Sequence, residues 1–86
     1  MKEKIRNIIH DTIYTQVVYP HLGNNNILAA NWILNSIMIT DIDMIYKLGK
    51  IIEANATYDH EIADGDLDII YQFVVELKNE DMDRPF

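Results

Sequence analysis

An uncharged apolar stretch, ILAANWILNSIMI from Ile27 to Ile39, is interrupted only by Asn31, Asn35 and Ser36. On a helix, Ile27, Ala29, Ala30, Ile33, Leu34, Ile37 and Met38 fill half the circumference. Leu28, Trp32 and Ile39 form a second apolar strip, set off from the first by Asn31 and Asn35. A helix that is apolar on two sides is packed on both flanks, so the pattern predicts a central helix over 27–39.

Apolar spacings of three and four continue on either side. Residues 2–19 read as a first helix with Ile5, Ile8, Ile9, Thr12, Ile13 and Gln16 on one face, stopped by Pro20. The segment PHLGNNN forms a loop whose asparagines can cap the central helix. A third helix, opened by a Thr40 cap, aligns Ile42, Ile45, Leu48, Gly49, Ile52 and Ala56. Gly49 falls on its buried side, where a missing side chain lets another backbone approach; relative to Ala it costs about 0.8–1.0 kcal/mol of helix propensity. After the polar loop 57–65, residues 66–80 place Leu67, Ile70, Tyr71, Val74 and Leu77 inward, and 81–86 form a polar tail. The expected fold is all-α: one four-helix, bundle-like domain over 1–80. The alternative is α+β, with short strands near 13–19 and 69–75, where β-branched and aromatic residues accumulate.

Composition narrows the classes. Eighty-six residues make one small domain with a thin core. Cysteine is absent, so disulfides and thiolate metal sites are excluded and a cytoplasmic setting is the simpler expectation. The amino terminus, MKEKIRNIIHD, is charged and has no apolar signal block. No charge occurs from Thr12 to Thr40, but Pro20, Gly23 and three asparagines break that segment below the length of a membrane span. The net charge is −7, carried by one half of the chain: residues 1–40 balance at +1 and residues 41–86 at −8. So acidic a surface disfavours direct nucleic-acid binding, which needs Lys and Arg on phosphates, and favours a basic protein partner.

Candidate chemistry is sparse. Asp59, His60, Glu61, Asp64, Asp66 and Asp68 are dense enough in oxygen ligands to suggest a hard cation. The spacing fails for an EF-hand, however: with Gly65 at the sixth position, the first, third and twelfth fall on His60, Ile62 and Tyr71. Acids at a helix start are also accounted for by the helix dipole. His60 between two acids could act as a base, but the sole serine, Ser36, lies in the apolar helix, and His10 and His21 are isolated. The three glycines stand in no phosphate-binding fingerprint. No catalytic residue, metal or cofactor is expected.

Two non-catalytic functions are open to such a chain. Asp41, Asp43, Asp59, Glu61, Asp64, Asp66 and Asp68 can present a negative surface that steers and binds a basic partner. Small size, acidity and helices are shared with toxin-immunity proteins and phage-encoded inhibitors, an analogy of class without a motif. Abundant Ile and Asn point to an AT-rich bacterial or phage coding sequence. The alternative is a self-associating structural protein. Leu28, Trp32, Ile39, Met44 and Ile51 exceed what a single small bundle buries, and a homodimer would cover them.

Overall fold

A computed structural model of the chain describes residues 2–15, 26–55 and 63–83. Among them the chain forms four helices and no strand: α1 Lys2–Ile13, α2 Asn26–Asn35, α3 Ile42–Asn55 and α4 Asp64–Asp83. Each helix packs against its neighbours in the chain, and α1 closes the ring against α4. The helix period therefore prevails at 69–75, where a strand was the alternative. Residues 16–19 of the other β-rich run lie outside the described residues.

All four helices feed one core. Ile9 and Ile13 enter from α1, Ala29, Ala30, Ile33 and Leu34 from α2, Met44, Ile45, Leu48 and Ile52 from α3, and Leu67, Ile70, Val74 and Leu77 from α4. Full burial of one such Ile or Leu contributes about 1.5–3 kcal/mol, so each side chain of a core this small matters. The two alanines of α2 are fully buried. Their small size lets α2 lie close against its neighbours, as does Gly49 on α3. A methyl group at Gly49 would sit 2.5 Å from Ile27 Cδ1 and 3.6 Å from the Asn26 carbonyl oxygen. The packing reason expected of this glycine is the approach of the first turn of α2.

The end of α2 departs from expectation. The helix stops at Asn35 rather than Ile39 because a Schellman turn closes it. The Ile39 amide donates to the Leu34 carbonyl at 2.8 Å and the Met38 amide to that of Asn35 at 3.1 Å. Met38, at φ 68°, takes the left-handed position usually given to glycine. Leu34 and Ile39, the two apolar residues that such a turn brings together, are both fully buried. The reversal also exchanges the expected roles of two residues: Met38 is 83 % exposed, while Ile39 is in the core.

The next helix is capped one residue later than expected. Asp41 Oδ1 accepts from the Met44 amide at 3.1 Å, and the Asp41 carbonyl takes the first helical bond, from Ile45, at 3.0 Å. Asp41, not Thr40, is the cap. α4 starts at Asp64, with Asp64 and Asp66 in its first turn, and continues through Asp83 into the segment expected to be a tail. Across the bundle, Arg6 pairs with Asp68 and lies 6.0 Å from the Tyr71 ring centre; Lys2 lies over the same ring at 5.7 Å. These contacts tie the start of α1 to α4.

Candidate functional site

The acids expected to form one surface are distributed along the molecule. Asp41 caps α3 and Asp43 is exposed in its first turn. Asp64, Asp66 and Asp68 lie at the start of α4. Ile51, late in α3, lines a groove with residues 68–76 of α4, while Lys78, later in α4, bonds to Ile37 just ahead of α3, so the two helices run antiparallel and their acidic starts are at opposite ends. Asp43 lies eight residues, about 12 Å at 1.5 Å per residue, from Ile51, which lines the same groove as Asp68, so the two groups are set apart along α3. Asp59, His60 and Glu61 lie outside the described residues. No group of His, Asp or Glu able to hold a metal occurs among the described residues.

A groove of about 350 Å³ between α3 and α4 joins residues from both expected surfaces. Ile51, from the apolar set, forms its floor together with Ile69 and Phe73. Asp68, from the acidic set, borders it with Gln72 and Glu76. Asp68 keeps a side-chain exposure of 59 % while paired with Arg6, and Glu76 is exposed. Ile69, Phe73 and Glu76 were not among the expected site residues. Their spacing of four and three does mark a second face of α4, hidden in the sequence by the continuous apolar run IIYQFVV.

The remaining members of the expected self-association set separate. Ile39 is fully buried and Met44 nearly so, both in the chain's own core, and neither can contribute to an outer face. Leu28 and Trp32 stay outside on α2, at 46 % and 66 % exposure. Beside them, Asn35 Nδ2 donates to both the carbonyl and the side-chain oxygen of Asn31, at 2.7 and 2.8 Å. The asparagine line is thus bonded along the helix itself. No charged residue lies on α2.

Among the described helices, none is long and apolar enough to cross a membrane. Elsewhere on α1, His10 Nδ1 lies 3.2 Å from Asp11 Oδ1 and its ring stacks on Tyr14 at 6.1 Å. His10 and Asp11 are adjacent in the chain, and the pair is a local contact on α1. No protein-family model, curated protein or solved structure matches the chain.

Proposed function

We propose that the protein is a non-catalytic, acidic binding module, cytoplasmic in setting, that inhibits or regulates a basic protein partner. The groove between α3 and α4 carries this reading. Its floor of Ile51, Ile69 and Phe73 offers apolar area for an anchor, while Asp68 and Glu76 on the rim favour a partner whose anchor is flanked by Lys or Arg. Asp64, four residues before Asp68 and on the same side of α4, adds to the same field. Asp41 serves first as a helix cap, which leaves Asp43 to supply the charge at the other end of α3.

The test is capture of partners from the source lysate by wild-type protein and by Glu76→Lys, at low and moderate salt. A basic protein retained by wild type, shed by salt and lost by Glu76→Lys supports the proposal. An identical set of captured proteins with both baits sinks it.

A second reading, homodimerisation, is favoured by one observation: Trp32 and Leu28 are exposed on α2, which is the one uncharged helix among the described residues. Two copies of a −7 protein repel least where no carboxylate has to be buried. Sedimentation velocity decides it. A dimer that persists in salt and is lost with Trp32→Ala supports self-association, and a monomer at all concentrations removes it.

A further inference from the structure

A groove of opposite sign lies where α1, the turn after α2 and the last part of α4 meet. Ile5, Ile8 and Ile37 line it together with Ser36 and Met38, and Lys4 and Lys78 border it, around a space of about 370 Å³. Ligand pockets are commonly about 300–1,000 Å³, mostly apolar, with a few placed polar groups. An apolar lining of aliphatic side chains suits an aliphatic ligand.

The two lysines point to the ligand's other end. They come from different helices of a chain with seven cations and fourteen acids, yet neither makes an ion pair with a described side chain. Lys78 is half-buried and fixed: its Nζ donates to the Ile37 carbonyl oxygen at 2.9 Å. An ammonium has three N–H donors, so two remain. Capping the end of α2 accounts for Lys78 but not for Lys4, which brings a second positive charge to the same apolar cleft. Met38 adds an adaptable thioether, held at the lip by left-handed backbone that a non-glycine residue rarely adopts.

We propose that this groove binds a carboxylate-headed alkyl chain. The head sits between Lys4 and Lys78, and the chain lies along Ile5, Ile8 and Ile37 beneath Met38. The site is independent of the groove between α3 and α4 and stands or falls separately.

Decanoate is the probe, titrated below its micelle-forming concentration by calorimetry, with isoleucine methyl resonances followed in parallel. Saturable one-to-one binding that moves the Ile5, Ile8 and Ile37 methyls is expected. Decanol should bind roughly tenfold more weakly, the loss of about one charge-assisted hydrogen bond, and decyltrimethylammonium more weakly still. Lys78→Met and Lys4→Glu should each weaken decanoate by roughly tenfold or more while leaving decanol unchanged. Should Lys78→Met unfold through loss of its bond to Ile37, the exposed Lys4→Glu decides alone. Absence of saturable binding, equal affinity for decanoate and decanol, or decanoate affinity unchanged in Lys4→Glu would each overturn the proposal.

Discussion

Met38 stands where a helix-ending turn favours glycine, and its side chain is 83 % exposed, so folding recovers little for the strain of φ 68°. Met38→Gly should therefore raise stability by about 0.5–1 kcal/mol, the relief of left-handed strain less the greater freedom of glycine in the unfolded chain. Chemical denaturation measures it, and a loss of stability would show that the Met38 side chain contributes more than its exposure suggests. Gly49 presents the opposite problem. Gly49→Ala gains about 0.8–1.0 kcal/mol of helix propensity and must displace the tip of Ile27, a flexible and half-buried side chain. The two effects should leave stability within about 1 kcal/mol of wild type, whereas Gly49→Val, which pushes γ-carbons toward the Asn26 carbonyl and the Ile27 backbone, should cost about 1–3 kcal/mol. Equal melting curves for the two variants would mean that α2 moves aside freely. The glycine was legible because it broke an otherwise apolar helical face. The strained methionine was not, since the absence of glycine left nothing in the sequence to mark the turn.

That missing mark accounts for the main error at the level of elements. Without a glycine or proline, the periodicity of 27–39 reads as one helix, and a single left-handed residue is enough to end it and exchange the exposures of Met38 and Ile39. Neighbouring helices were legible because their apolar period continues beyond the propensity of any one residue: the β-rich run at 69–75 forms helix with Ile70 and Val74 in the core. Ends were less legible, for two acceptable caps stood side by side. Asp41 makes the bond, so Asp41→Ala should cost about 1 kcal/mol in urea denaturation and Thr40→Ala a few tenths. The reverse order would place the cap back on Thr40. Site residues followed the same logic. Sequence periodicity located the inward face of α4, while Ile69, Phe73 and Glu76 acquired significance only when α3 was seen to leave a gap beside them.

Charge is a property of the whole molecule. Twelve acids lie beyond residue 40, from Asp41 at the cap of α3 to Asp83 at the end of α4, against four cations in the same half. One Arg–carboxylate pair, Arg6–Asp68, crosses between helices among the described residues, and a single pair with its carboxylate still largely exposed contributes on the order of 1 kcal/mol. Repulsion among the excess acids is therefore the larger electrostatic effect on folding, and it acts over distances that salt screens: the Debye length falls from about 30 Å at 0.01 M to about 8 Å at 0.15 M. Raising sodium chloride across that range should raise the melting temperature by a few degrees, because the folded chain holds its acids closer together than the unfolded one. Calorimetric scans at fixed pH measure this, with Glu80→Lys as a second arm that should raise stability at low salt and lose its advantage at high salt. A melting temperature that falls with salt would mean that attractive pairs outweigh the repulsion. The acidic half would then be internally compensated and poorly suited to hold a basic partner, so the same scan bears on the fold and on the binding surface between α3 and α4.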